Sequence, residues 1–346
     1  MPTLKHRITL KTRAGYDSCI PLSSAIPPLQ VPLTGEASDA KTRPLPTFSV
    51  GVCAAESIRD PVGFIQSLLL ESARSQGVMR ELVVVASGVQ KPTLSGLWLA
   101  RNLDVRVNIL VEDVRHGKAE AINRILTSVS GDYIVFVNAD AIPEPGAIAS
   151  LLETVSSDHT VGAVSALPKV EAPKGVASLL TKFMWTAHNE CSIDLNHQGI
   201  ANHSSDELVV FRMSATTPLP VGLVNDGAYM TGVAKRRGYT VKVCQSARVQ
   251  VRTPSRLVEV ILQRRRILFG HTQVWRKVGV PPKTIESMLF LSPIAGVRLT
   301  VRSLSKDPKF LLVFPLAVVG EILAATLSII DTLDATTAHE VWRRFA

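Results

Sequence analysis

The chain has 346 residues, enough for one large or two modest domains with real cores. At 46% hydrophobic and 19% charged it is globular and somewhat greasier than an ordinary soluble protein. The net charge of +9 is uneven: residues 235–302 carry 15 Lys or Arg against Glu259 and Glu286, so the remainder is slightly acidic.

Such a basic window suits nucleic acid, anionic lipid, a phosphate-bearing substrate or plain solvent. Nucleic acid is disfavoured, because aromatics make up only 5% of the chain and no stacking platform interleaves the arginines. Cysteines 19, 53, 191 and 244 form no CxxC, and they fit buried thiols in a reducing compartment. The first residues, MPTLKHRITLKTRAG, lack the apolar core expected of a secretory signal.

Residues 1–46, rich in Pro, Ser and Thr, read as an irregular extension. Regular alternation follows. Strands are expected at 48–54, 81–87, 105–112 and 132–139, short β-branched runs apolar enough for burial on both faces. Helices are expected at 60–77, opened by Asp60-Pro61, and at 117–131 and 144–157. This alternation predicts a doubly wound, mostly parallel sheet with helices on both faces. Ligands in such sheets bind beyond the carboxyl ends of the strands. Past a further strand-like run at 161–168 the pattern loosens: a helix near 175–195, apolar runs at 207–214 and 247–253, and a basic helix at 255–275. Residues 276–346 form a C-terminal helical part. Within it, 310–330 is long enough to span a bilayer, but Pro315, Gly320 and Glu321 fit an interfacial or half-inserted helix, or a buried hairpin, as well.

Several residues carry chemistry. In VFVNADAIPEP, Asp140 follows a greasy strand and enters a Pro-bounded turn. A carboxylate there, with ligand phosphates completing the shell, suits Mg²⁺ or Mn²⁺, although an Asp after a strand is commonly a turn or cap residue. Asp226 in LVNDGAYM precedes a helix, where it could be a general base or, like Asn225, an N-cap. Arg115, His116 and Lys118 surround Gly117 at a helix start, a natural phosphate seat. In QRRRI (263–267) consecutive arginines point different ways, so one or two reach any single site and the others face solvent or lipid.

Taken in order, these stretches resemble the family-2 glycosyltransferases of GT-A fold, above all membrane-associated members with a QxxRW-like motif. The resemblance covers roughly residues 47–275. FSVGVCAAES resembles the first nucleotide-binding strand and loop, RHGKAEAIN the basic helix start, and VNADAIPEP the DxD metal site. VNDGAYM stands in place of the catalytic-base motif, and QRRRI in place of QxxRW. Departures are clear. Asn138 replaces the first acid of DxD, Asn225 the acid before the base, Ile267 the Trp of QxxRW, and Ala86-Ser87 the end of the second strand, where an Asp is usual.

The resemblance implies transfer of a sugar, with inversion, from a nucleotide-diphosphate donor such as a UDP-sugar to a lipid-linked or envelope saccharide. Asp140 would hold Mg²⁺ or Mn²⁺, and Asp226 would be the base, with Gln263 and Arg266 closing over the pyrophosphate or acceptor. Glu56, Ser87, Arg115, Lys118 and Asn138 would line the donor site. The expected place is the cytoplasmic side of the cell membrane, peripheral or anchored by one helix. The alternatives are a catalytically silent donor-binding protein and a sugar nucleotidyltransferase. The latter normally needs a Gly-rich, Arg-bearing first loop, which VCAAESIRD lacks.

Overall fold

A computed structural model describes residues 45–55, 58–171, 173–334 and 339. Among these, one eight-stranded sheet runs in the order β3-β2-β1-β4-β7-β6-β8-β5. Its strands are β1 (Thr47–Ala55), β2 (Val78–Ser87), β3 (Val107–Glu112), β4 (Tyr133–Asn138), β5 (Ala141–Pro143), β6 (Val161–Lys169), β7 (Leu208–Arg212) and β8 (Thr240–Val251). β1 pairs in parallel with β2 and β4, β2 with β3, and β6 with β8; β7 is antiparallel to both β4 and β6. The four sequence-expected strands 48–54, 81–87, 105–112 and 132–139 are therefore the parallel half of the sheet, in the order 3-2-1-4.

Helices cover both faces: α1 (Pro61–Ala73), α2 (Lys91–Ala100), α3 (Lys118–Leu126), α4 (Ala147–Ser156), α5 (Gly175–His197), α6 (Asp226–Arg236) and α7 (Leu257–Val278). Asp60 caps α1 through Gly63 N–H at 2.9 Å, with Pro61 at the first position. Two helices are shorter than their periodicity suggests. α3 ends at Leu126 because Thr127 and Ser128 turn their hydroxyls back onto Arg124 O, competing with the helix ladder. α1 stops at Ala73, and Gly77, the last residue of the expected helix, abuts Phe48 of β1 at the entry to β2. α2 was missed at sequence level; its stretch KPTLSGLWLA buries only Thr93, Leu97 and Ala100 and shows little periodicity.

One packing detail places α3. A Cβ on Gly51 of β1 would lie 2.8 Å from Ile125 of α3, so only glycine lets the helix come this close to the sheet. The face beneath α3 is filled by Ile122, Ile125, Phe136 and Phe211, and the opposite face by Phe48, Ile65, Leu68 and Ile148. The turn between β4 and β5 is fixed by pairing as much as by proline: Ala141 to Pro143 pair antiparallel with Val249 to Val251 of β8. Pro143 is a strand residue, and Gly146, at φ 82°, begins α4.

Three more helices follow, α8 (Ile285–Leu291), α9 (Pro293–Leu304) and α10 (Phe310–Leu333). α10 packs along α7 and α5. Its two acids face α7. Arg264 of α7 donates to Glu321 at 2.8 and 2.9 Å, and Arg265 donates to Asp331 at 2.6 Å. This corrects the expectation that the surplus arginines of QRRRI face solvent or lipid. α10 supplies their carboxylates.

Candidate active site

A cavity of about 740 Å³ opens at the carboxyl ends of β1, β2 and β4. Ser87, Arg115, Lys118, Asn138, Asp140, Asp226, Gln263 and Arg266 all line it. Glu56 lies outside the described residues. Two acids that sequence reasoning passed over, Asp206 and Glu207, line it as well. They immediately precede β7. Because β7 runs antiparallel to β4, with Val137 opposite Leu208, its beginning lies beside the end of β4.

At the floor sits a cation between two carboxylates. Lys118, at the first position of α3, approaches Asp206 Oδ2 at 2.8 Å and Asp226 Oδ2 at 3.1 Å. Burial opposes the charge on Lys118, but Asp206 and Asp226 outweigh it and keep the ammonium protonated beyond the ordinary lysine range. The two acids diverge. Burial pushes Asp206 up, yet Lys118 wins and holds it down at about 2. Asp226 is raised, by burial first and by the charge of Asp206, against the pull of Lys118. Neighbouring carboxyls driven apart in this way are a familiar signature of acid–base division of labour.

Asp226 is not the helix cap. Asn225 takes that part, accepting Ala228 N–H at 3.2 Å, and leaves the Asp226 carboxylate to face Lys118. The loop before it is clamped on two sides. Asn123 of α3 accepts Leu219 N–H at 2.7 Å and donates to Leu219 O at 2.9 Å. Gln273 of α7 accepts Val224 N–H at 3.0 Å and donates to Gly222 O at 3.1 Å. Arg266 adds a bond to Val224 O at 3.3 Å. α7 comes close enough that a Cβ on Gly270 would lie 2.8 Å from Asn225 Cβ. The last residue of RHGKAEAIN thus holds the loop that leads to Asp226, while its Lys meets the Asp226 carboxylate.

Asn138 donates its side-chain N–H to Glu207 Oε2 at 2.9 Å. Burial, then the charges of Asp140 and Asp206, push the Glu207 carboxyl up to about 8. At the end of β2 the Ser87 hydroxyl is buried with no hydrogen-bond partner among the described residues. Gly88, at φ 59°, makes room for Arg115, whose Cγ would lie 2.6 Å from any Cβ there. Burial and the nearby Arg115 lower Arg266, and Asp226 and Asp206 counter them.

A parallel half-sheet in 3-2-1-4 order, joined through an antiparallel strand to a second set and carrying its polar cavity on the carboxyl edge, is the architecture of the GT-A glycosyltransferases. The chain belongs to glycosyltransferase family 2: the family model described as Glycosyltransferase like family 2 matches residues 46–270. Among sequence relatives is the poly-β-1,6-N-acetyl-D-glucosamine synthase of Staphylococcus aureus, 20% identical over 192 residues. That match covers 54% of this chain and 45% of the relative, so the chain spans less than half of the curated protein it matches. Among solved structures, the mannosyltransferase PcManGT from Pyrobaculum calidifontis, in complex with GDP-Man and Mn²⁺, shares the fold with a TM-score of 0.58 at 18% identity. The match covers 85% of this chain and 88% of that one.

Proposed function

We propose that this glycosyltransferase moves a sugar from a nucleoside-diphosphate donor, of the UDP-sugar type, to an acceptor hydroxyl with inversion at the anomeric carbon. The observation that carries the reading is Asp226: buried, at a helix start, raised above the ordinary aspartate range and held by Lys118 at 3.1 Å in the cavity. Asp226 accepts the acceptor's hydroxyl proton as that oxygen bonds the anomeric carbon. The bond from that carbon to the diphosphate breaks in the same displacement, and the nucleoside diphosphate departs with the electron pair. One displacement inverts the centre. Arg115 and Arg266 supply positive charge where the leaving diphosphate becomes more negative. Ser87 lies where the nucleoside would bind, and Gln263 shares the cavity wall one turn from Arg266.

A divalent cation fits this donor set. Among the described residues no group of three or more His, Cys, Asp or Glu is arranged to hold a metal ion. Asp140 and Glu207 nevertheless present hard carboxylate oxygens to one cavity, with Asn138 orienting Glu207, and donor phosphates would complete a Mg²⁺ or Mn²⁺ shell. When bound, the cation would neutralise the departing diphosphate.

The acceptor we propose is a lipid-linked or envelope saccharide, met at the cytoplasmic surface of the cell membrane. Support comes from the C-terminal helices. α10 is long and apolar enough to cross a membrane, with mean hydropathy 2.3, and 22% of its apolar window is buried. Leu312, Val319 and Ile322 of α10, Ile294, Val297 and Val301 of α9, and Phe290 of α8 are exposed. Apolar surface of this extent beside the basic residues Arg302, Lys306 and Lys309 suits an anionic lipid interface.

The test is a screen of UDP-, GDP- and dTDP-sugars for metal-dependent release of nucleoside diphosphate by the purified chain. Donor binding without turnover under every condition would favour the silent donor-binding alternative instead.

A further inference from the structure

One stretch of the same cavity lining is made of residues that the donor chemistry does not use. Trp185 and His188 of α5, His203 and Ser204 before β7, His271 of α7 and Glu286 of α8 form it. Its rings stand edge to face in a chain. Trp185 and His188 lie 5.3 Å apart, His188 and His203 5.6 Å, and His203 and His271 5.2 Å, at interplanar angles of 81–87°.

Two features say what such a chamber accepts. First, it holds unmet hydrogen-bonding capacity. Among the described residues, His203 Nδ1, His271 Nε2 and Ser204 Oγ are buried without a hydrogen-bond partner, and Ser204 is only 1% exposed. Buried polar atoms of this kind call for a ligand or ordered water. Second, its cation is already neutralised. Arg264 meets Glu286 at 2.5 Å and Glu321 at 2.8 Å, while Asp206 and Asp226 stand against the single charge of Lys118 at the chamber mouth. Burial keeps the imidazoles neutral at pH 7: His188 and His203 fall to about 3, and His271 to about 4. Each neutral ring offers one donor and one acceptor. An anion seated among these rings finds Arg264 already bridged to two carboxylates. A hydroxyl-rich neutral molecule finds what it needs, with Trp185, Met184 and Val260 available to its apolar ring face.

We propose that this histidine-lined compartment is the acceptor subsite, and that it takes the neutral sugar end of a glycan, not the phosphate of a lipid carrier. This inference rests on the glycosyltransferase reading and deepens it. The chamber adjoins Asp226, so a sugar hydroxyl seated among His203, Ser204 and His271 reaches the base while the rest of the glycan extends outward. The rings are not a metal centre, since no three such side chains among the described residues converge for one.

The experiment uses the full chain with Mn²⁺ and the nucleotide sugar that it hydrolyses best. The probes are chitotetraose, mannotriose, cellotetraose and farnesyl phosphate. At least one saccharide is expected to speed nucleoside diphosphate release tenfold or more, with farnesyl phosphate inert. His203→Phe and His271→Phe are expected to raise the KM for that saccharide at least tenfold, with His271→Gln recovering part of the loss. In wild-type protein, needing no variant to fold, the same saccharide is expected to shift the ring ¹⁵N resonances of His203 and His271. Stimulation by farnesyl phosphate, stimulation by none of the saccharides, or unmoved histidine resonances would overturn the inference. Calorimetric titration of the donor separates the two levels. If no nucleotide sugar binds, the glycosyltransferase reading itself fails; if donor binds and turns over while the saccharides do nothing, only the acceptor assignment falls.

Discussion

Asn138 gives its side-chain amide to Glu207 at 2.9 Å across the β4–β7 pair, and the backbone N–H of Asn138 bonds Glu207 O at 3.1 Å. The position where the family has the first acid of its metal motif thus holds an amide that orients a carboxylate from the neighbouring strand.

From this relation follows the first prediction. Asn138→Asp would set an acid against Glu207 with no cation between them. Thermal melts should show the metal-free variant losing several degrees, since a cost of about 1–2 kcal/mol is a few degrees in a chain of this size. Mn²⁺ with nucleoside diphosphate should restore more in the variant than in wild type. Glu207→Gln should weaken Mn²⁺-dependent donor binding measured by calorimetry. If both variants behave as wild type with and without Mn²⁺, Glu207 is no part of the metal site.

Asp226→Asn should lower transfer by roughly 10²–10⁴, the range for a placed general base, while donor affinity changes little. Lys118→Met separates positioning from proton transfer. It leaves the buried Asp226 carboxylate beside Asp206, whose side chain is 35% exposed, so stability should fall, by less than the roughly 3 kcal/mol lost when one partner of a fully buried pair is removed. Denaturant titration measures the second effect and rapid-quench turnover the first. Wild-type turnover in Asp226→Asn would dismiss it as the base.

How much of this could be read from the chain alone depends on distance along it. The parallel strands and α1, α3 and α4 were legible, because each is a local pattern of period 2 or 3.6 between Gly and Pro punctuation. That Asp140, Lys118 and Asp226 line one cavity was legible because each sits beside such an element. Asp206 and Glu207 were not. HSSDE reads as an ordinary polar lead into a strand, and its importance comes from β7 entering antiparallel beside β4, a choice set by packing. Glu321, a partner of Arg264, and Asp331, a partner of Arg265, lie 57 and 66 residues away, on a helix whose apolar length masks them. The histidines at 188, 203 and 271 meet only in three dimensions.

The exposed apolar faces of α9 and α10 should bind lipid. Ile294→Glu with Leu312→Glu replaces residues that are 88% and 75% exposed, so stability should move by no more than about 0.5 kcal/mol. Co-sedimentation with vesicles of mixed phosphatidylglycerol and phosphatidylcholine should weaken at least tenfold. Unchanged sedimentation at unchanged melting temperature would mean these faces do not meet membrane.

The histidine chamber also makes a claim about acid. An unfolded histidine titrates near 6.5, whereas burial holds His188 and His203 at about 3 and His271 at about 4. Glu286 and Asp206 raise all three and Arg264 lowers them, and each ring also lowers a neighbour, so the depression is net of opposing charges. Between about 3 and 6.5 the unfolded chain therefore binds more protons than the native one. The stability this gives is fully present above 6.5 and is lost as pH falls through that window, at up to about 1.4 kcal/mol per pH unit for each ring. Glu207, pushed up to about 8, works the opposite way between 4.5 and 8, so the wild-type profile alone is ambiguous. The difference between proteins is not. His203→Phe deletes one ring from the balance and leaves Glu207 in place. Its melting temperature should fall less steeply than that of wild type between pH 6.5 and 4.5, with the two curves converging at the acid end. Parallel curves across that range would mean His203 is charged in the native protein, and the neutral chamber would go with it.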